Sequence, residues 1–275
     1  MYSDIAYKIN LHITEMCNYR CKHCFAHFGN VKNLSLDNWK KIVDNCCNGI
    51  NVNCFNIAGG EPLLYKELTD LVKYIRLKGK DCTLITNGSL MTDEWIKNNA
   101  QYYSVIGFSI DSFNPIVLTQ MGRCGQKGQL LDKERVHTLC NLIKHYNPNC
   151  EIKINTVVSY LNYNENLSSI IIKLPVTRWK LLKIKRFVFG NFDNSDICCT
   201  DKHYSFFVQN NAIPNINIVC EKDLVSSYIM IDSNGNLVNN NCDNYKIVAN
   251  CLTEDFSQAF LKLELNESLY KSRYE

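Results

Sequence analysis

A chain of 275 residues, 46% of them hydrophobic, can bury the core of one large domain or of a domain with an extension. Its 30 basic and 27 acidic side chains leave a formal net charge of +3, too near balance for bulk attraction to nucleic acid or a membrane, so an anion site must come from local clustering. Fifteen cysteines, an odd count, argue against complete disulfide pairing and for a reducing, cytoplasmic setting; no leader-like start and no apolar run of roughly 18 residues argues for export or a membrane span.

Tyr7 to Ile13 alternates Tyr7, Ile9, Leu11 and Ile13 with Lys8, Asn10 and His12, the period of two of a strand. Cys17, Cys21 and Cys24 follow, spaced C-x₃-C-x₂-C. Three thiolates on one short loop can hold three irons of a [4Fe–4S] cluster and leave the fourth iron to an outside chelator, whereas closed electron carriers use four cysteines. His12, His23 and His27 lie close in sequence, so the same loop allows a zinc site.

Leu34 to Cys47 reads as a helix with Ser35 as N-cap and Leu36, Trp39, Ile42, Val43 and Cys46 at helical spacing. The strand Cys54 to Ala58 runs into Gly59-Gly60-Glu61-Pro62. Two glycines permit close backbone approach to a ligand, and Glu61 can accept from an ammonium group; the four residues equally suit a tight turn opening a helix. A helix over Leu63 to Leu77, closed by Gly79, precedes a strand over Cys82 to Thr86, a helix near Thr92 to Asn98 and a strand over Val105 to Ile110. Thr86-Asn87-Gly88-Ser89 and Ser109-Ile110-Asp111-Ser112 end strands with small polar groups, which suit a ribose or carboxylate, or ordinary caps and turns. Arg123, in the loop Gly122 to Gly128, is either an anion clamp or a solvated cation.

A helix over Leu131 to His145, a strand over Ile152 to Val158, a short helix over Glu165 to Leu174 and a strand over Arg178 to Ile184 continue the alternation. About six βα units predict an α/β fold with a parallel sheet, either doubly wound or a partial barrel, with ligands at the strands' C-terminal ends. Beyond Lys185 the pattern loosens into a loop-rich Asn191 to Cys199, a strand-like Ser227 to Ile231 and a turn at Asp232 to Gly235. Residues 1–185 are therefore expected to form the core and 186–275 an extension packed on it.

Period two puts Lys153 and Asn155 on one face of their strand, and Arg178 and Lys180 on one face of the next. If these faces point inward with Asn10, the cations need an anion to offset their repulsion and desolvation, and a polyphosphate would supply it. If they point outward, they are solubilising.

Cys17-Asn18-Tyr19-Arg20-Cys21-Lys22-His23-Cys24-Phe25, Gly59-Gly60-Glu61-Pro62, Asn87-Gly88-Ser89-Leu90, Asp111-Ser112-Phe113, Gly122-Arg123, Lys153-Ile154-Asn155, Arg178-Trp179-Lys180 and Ser227-Tyr228-Ile229-Met230-Ile231-Asp232 occur in that order. In this combination the chain resembles the viperin-like radical S-adenosylmethionine (AdoMet) enzymes, particularly their shorter prokaryotic members. The resemblance implies a partial (βα)₆ TIM barrel closed by a C-terminal extension, and a [4Fe–4S] cluster on Cys17, Cys21 and Cys24. It implies that S-adenosyl-L-methionine is held by Gly59, Gly60, Glu61, Pro62, Asn87, Ser109 and Arg123. It implies dehydration of a ribonucleoside triphosphate (CTP, UTP or GTP) to its 3′-deoxy-3′,4′-didehydro analogue, a chain terminator of viral or phage RNA synthesis. A 5′-deoxyadenosyl radical would take the 4′ hydrogen. Asn10, Lys153, Asn155, Arg178 and Lys180 would hold the triphosphate, Tyr228 would quench the product radical, and a flavodoxin or ferredoxin would supply electrons.

The chain departs from the animal members by starting just before its first strand, without their amphipathic helix, so no membrane association is expected. It also has Cys54 and Ala58 where those members have lysine and serine, which leaves a phosphate or base contact to another residue such as Lys246. Two other readings compete. Cys198, Cys199, Cys220, Cys242 and Cys251 allow auxiliary clusters of a peptide-modifying radical enzyme, and a zinc-stabilised nucleotide-binding module needs no catalysis.

Overall fold

The computed structural model describes residues 5–24, 33–189, 192–222, 225–240 and 245–274; Phe25, His27 and Cys242 lie outside them. In chain order the elements are β1 (Tyr7–His12), α1 (Leu36–Gly49), β2 (Val52–Ala58), α2 (Leu68–Leu77), β3 (Asp81–Thr86), α3 (Asp93–Asn99) and β4 (Val105–Ser109). Then follow α4 (Pro115–Gln120), α5 (Lys133–Tyr146), β5 (Glu151–Val158), α6 (Ser168–Ile171), β6 (Arg178–Lys183), β7 (Val188–Phe189) and β8 (Phe192–Asp193). The chain ends with α7 (Asp201–Asn210), β9 (Asn217–Glu221), β10 (Ile229–Ile231), β11 (Asn236–Asn239), β12 (Lys246–Asn250), α8 (Phe256–Leu261) and α9 (Glu267–Tyr274). The described residues fall into two compact units, one drawn from 1–17, 26–84 and 224–275, the other from 18–25 and 85–223.

In the first unit the strands lie in the order β12-β11-β10-β1-β2-β3. β1 pairs in parallel with β10 and β2, and β2 with β3, while β11 and β12 run antiparallel. The odd residues of β1 behave as their alternation requires: Ile9 and Leu11 are fully buried, as are Phe55 and Ile57 of β2. Ser35 caps α1 by accepting from the Asn38 N–H at 3.3 Å, and Trp39, Ile42, Val43 and Cys46 form its buried stripe. α1 packs on α2 and α8.

The predicted helix over Leu63 to Leu77 is two pieces. Glu61 caps a 3₁₀ turn over Pro62–Leu64, Tyr65 is extended, and α2 starts only at Leu68. The Tyr65 hydroxyl, donating to the Leu34 carbonyl at 3.1 Å, ties that break in place.

His12, one step beyond Asn10 on the polar face of β1, is buried, and burial pushes its imidazole down to about 4. An unfolded histidine titrates near 6.5, so between these values the unfolded chain binds the extra proton. Stability is therefore fully present above about pH 6.5 and is lost toward pH 4, by about 1.4 kcal/mol per pH unit, or about 3 kcal/mol in all. Urea melts across this range should show the decline, and His12→Gln should flatten it; an unchanged slope in the variant would place the acid sensitivity elsewhere.

In the second unit β4, β5, β6 and β9 are parallel and adjacent in that order. Ile106, Phe108, Ile152, Ile154, Trp179 and Leu181 are fully buried, and the Trp179 indole donates to the Thr156 hydroxyl at 2.9 Å. Asp132 caps α5, whose Val136, Leu139, Cys140 and Ile143 face inward, and α3 packs against α5. The helix expected over Glu165 to Leu174 shrinks to the four residues of α6. Asn211 accepts from the Leu167 and Ser168 N–H groups and Asn166 from Ser169, so side chains from inside and outside the segment fix its start, and Pro175 stops it.

Candidate active site

The three cysteines sit on the stretch that follows β1. They are partly exposed and none forms a disulfide. In the first unit the residues leading to Cys17 lie against the glycine turn after β2: the Gly60 N–H donates to the Thr14 carbonyl at 2.6 Å and the Glu61 N–H to the Met16 carbonyl at 2.7 Å. A Cβ on Gly59 would stand 2.4 Å from the Thr14 oxygen, and one on Gly60 2.3 Å from the Met16 oxygen. Both glycines are therefore required for the approach itself. Glu61 is fully buried and its carboxylate accepts from the Leu63 N–H at 3.2 Å, so the turn-and-cap reading of this segment holds.

On the polar face of the same sheet, hydrogen bonds cross the strands. The Thr83 hydroxyl donates to Asn56 at 2.6 Å, Asn56 to Asn10 at 2.9 Å, and Asn10 to the Ile229 carbonyl at 3.1 Å. Asn10 is thus held beside the residue that follows Tyr228. The Tyr228 hydroxyl accepts from Arg273 at 3.1 Å, and the guanidinium lies 4.5 Å from the ring centroid. Arginine has no acceptor, so this contact leaves the phenol proton directed elsewhere. Lys246 is exposed on β12, with β11 and β10 between it and β1, and does not join this group. Cys54 is buried, and burial raises its thiol.

In the second unit, Asn18 and Asn87 hold the turn after β3: Asn87 donates to Asn18 at 2.9 Å and Asn18 to the Ser89 hydroxyl at 2.8 Å. Arg123 is buried, not solvated. Its Nε lies 3.0 Å from the Asp111 carboxylate, one terminal nitrogen donates to Cys21 Sγ at 3.6 Å, and the other donates to the Ser109 carbonyl. His23 Nε2 lies 3.3 Å from the same Asp111 oxygen. Burial alone would raise the Asp111 carboxyl, but Arg123 and His23 hold it below the ordinary carboxylate value; Asp111 in turn keeps the buried Arg123 charged. Tyr19, Asn87, Ser109, Asp111, Arg123 and Leu131 line one small cavity, which brings together three residues expected to hold AdoMet.

The register of β5 and β6 sets Lys153 beside Arg178 and Asn155 beside Lys180, and the register of β4 sets Ser109 beside Asn155. Ile152, Ile154 and Trp179 occupy the opposite, fully buried face. Lys180 is itself buried and forms an ion pair with Glu221 of β9. That carboxylate was invisible in the sequence, since β9 carries no clear alternation. Glu221 and Arg273 are the neighbours of the candidate site that sequence reasoning did not name; it named His23 only as a possible zinc neighbour, and Asp111 only among the small polar groups that end a strand.

Among the later cysteines, the Cys199 thiol donates to the Val158 carbonyl at 3.3 Å and Cys198 to the Asn194 carbonyl at 3.5 Å. Burial raises both, and pushes Cys251 up to about 12. Protonated, internally bonded thiols are poor ligands.

The model of the Radical SAM superfamily matches residues 11–165, and the chain belongs to that family. A protein of Selenomonas ruminantium named S-adenosylmethionine-dependent nucleotide dehydratase is 38% identical over 98% of this chain and 99% of its own length. One of the same name from Psychrobacter lutiphocae is 31% identical over 97% of this chain and 94% of its own. The solved structure of Streptococcus suis SuiB bound to the precursor peptide SuiA superposes with a TM-score of 0.71 at 16% identity, over 98% of this chain and 66% of that one, a likeness of fold. The expected α/β class with parallel strands is therefore correct, and the chain is an enzyme that uses a [4Fe–4S] cluster and AdoMet. The residues fit the cluster: three soft thiols on one stretch, glycines that bring the turn after β2 against the residues before Cys17, and a guanidinium directed at Cys21 Sγ to meet thiolate charge. No helix among the described residues is long and apolar enough to cross a membrane.

Proposed function

We propose that this enzyme is a nucleotide dehydratase that removes the 3′ hydroxyl of a ribonucleoside triphosphate as water, giving the 3′-deoxy-3′,4′-didehydro nucleotide, a chain terminator of viral or phage RNA synthesis. The observation that carries the reading is the register placing Lys153, Asn155, Arg178 and Lys180 side by side, adjacent to Ser109 of the small cavity that Asn87 and Arg123 also line. Full-length relatives bearing the dehydratase name support it.

When bound, the reduced cluster and AdoMet supply the 5′-deoxyadenosyl radical that takes hydrogen from the sugar. Cys17, Cys21 and Cys24 hold the cluster. Gly59 to Pro62, Asn87, Ser109 and Arg123 hold AdoMet. Arg178 contributes a forked donor to phosphate oxygens and Lys153 and Lys180 contribute point charges, with Asn10 and Asn155 as neutral donors. Lys180 is buried, where a low dielectric strengthens its interaction with a phosphate charge, and Glu221 beside it orients the ammonium. Tyr228 gives a hydrogen atom to the dehydrated sugar radical, and one electron from an external donor such as a flavodoxin or ferredoxin, with a proton from solvent, restores the phenol. In this reading residues 1–185 supply the cofactor and triphosphate contacts, and residues 186–275 supply Tyr228 with its partner Arg273.

Reduced, reconstituted enzyme incubated with AdoMet and each nucleoside triphosphate should give, by mass spectrometry, a product lighter by one water from at least one of them. Formation of 5′-deoxyadenosine with a peptide alone would favour the peptide-modifying reading. Tyr228→Phe should still cleave AdoMet while product per 5′-deoxyadenosine falls by about 10²-fold, the scale of a lost proton-transfer group. An unchanged ratio would remove Tyr228 from the mechanism.

A further inference from the structure

Asp111 is a buried carboxylate with a charged or polar neighbour at each oxygen. Oδ2 meets Arg123 Nε at 3.0 Å and His23 Nε2 at 3.3 Å, while Oδ1 accepts the Val157 N–H at 2.7 Å. Both side-chain partners lead to the cysteine-bearing stretch. His23 stands next to Cys24, and Arg123 donates to Cys21 Sγ and lies 5.8 Å from the Tyr19 ring centroid.

The contacts follow an alternating rule. Side chains of Tyr19, Cys21 and His23 turn toward Arg123 and Asp111, while the intervening backbone is zipped to the loop before Arg123: the Arg20 N–H donates to the Gly122 carbonyl at 3.2 Å and the Lys22 N–H to the Met121 carbonyl at 3.0 Å. A Cβ on Gly122 would stand 2.1 Å from the Arg20 oxygen, so only glycine permits this approach.

A buried carboxylate near thiolates is electrostatically costly unless a cation stands between them. Arg123 stands there, anchored by Asp111 on one edge and aimed at sulfur by another. We propose that Asp111 is a positioning residue of the cluster centre: with Arg123 and His23 it clamps the cysteine stretch, and through Arg123 it sets the cluster's affinity for its electron. Donation to a ligand sulfur stabilises the negative charge gained when an external reductant adds one electron, with no bond made or broken. Asp111 needs no contact with AdoMet or nucleotide for this role.

The inference rests on the three-cysteine cluster and is tested without turnover. Full-length wild type, Asp111→Asn and Arg123→Lys are reconstituted anaerobically, and two quantities are read: the rate at which EDTA bleaches the cluster's visible absorbance, and the midpoint potential in an EPR-monitored titration without AdoMet. Both variants are expected to lose the cluster about tenfold faster. Arg123→Lys keeps the charge but cannot reach Asp111, Ser109 and Cys21 together, and should bind its electron about tenfold less tightly, a shift of about 59 mV for one electron. Wild-type stripping rate and potential in Arg123→Lys overturn the proposal, and this variant decides alone if Asp111→Asn does not fold. A wild type that takes up no cluster overturns the cluster reading itself, and the proposal with it.

Discussion

Cys21→Ala should abolish AdoMet cleavage, bringing 5′-deoxyadenosine formation down to background. Two thiolates cannot hold a cluster in place of three, and Cys21 is also the proposed ligand whose sulfur Arg123 meets at 3.6 Å. Iron after anaerobic reconstitution should fall from about four per chain to a small fraction of that. Cys199→Ala is the informative comparison, because that thiol is buried and donates to the Val158 carbonyl. It should cost about 1 kcal/mol of stability and leave iron and cleavage unchanged. Wild-type cleavage by Cys21→Ala would remove the cysteine stretch from the chemistry.

Lys180→Ala should act twice. It removes the proposed phosphate contact, and it takes the ion-pair partner Lys180 away from the buried Glu221 carboxylate. Breaking a buried pair costs about 3–5 kcal/mol of stability, whereas replacing both partners by neutral groups of similar size is close to neutral. The double variant Lys180→Met/Glu221→Gln should therefore melt near the wild type while nucleotide turnover stays impaired, chiefly through a raised KM, with the cluster intact. Urea melts and steady-state kinetics on both variants separate the effects. Normal kinetics in the double variant would contradict the phosphate role of Lys180.

Much of the cofactor side was legible in sequence because it is local. The cysteine spacing, the Ser35 cap and the paired glycines act through neighbours in the chain, and the structure shows Gly59 and Gly60 pressed against the stretch before Cys17. Strand periodicity also gave the grouping of Lys153 with Asn155 and of Arg178 with Lys180, but not the direction of their face. That depends on register and on which face the apolar Ile154 and Trp179 claim. The counter-ions were beyond reach for the same reason: Glu221 comes from β9, and Asp111 from the end of β4, and their partners are set by tertiary packing. Arg123 shows the same dependence: its sequence context allowed an anion clamp or a solvated cation, and the close approach of Gly122 to Arg20 accompanies the burial of its side chain. In the C-terminal third, strands of three to five residues were too short to show a period, so β9, β11 and β12 went unrecognised along with α7, α8 and α9.

The most direct measurement uses a nucleoside triphosphate deuterated at C4′, incubated anaerobically with reduced enzyme and AdoMet. The account predicts that 5′-deoxyadenosine carries the deuterium and appears together with a nucleotide lighter by one water. Fully protiated 5′-deoxyadenosine alongside intact nucleotide would contradict it.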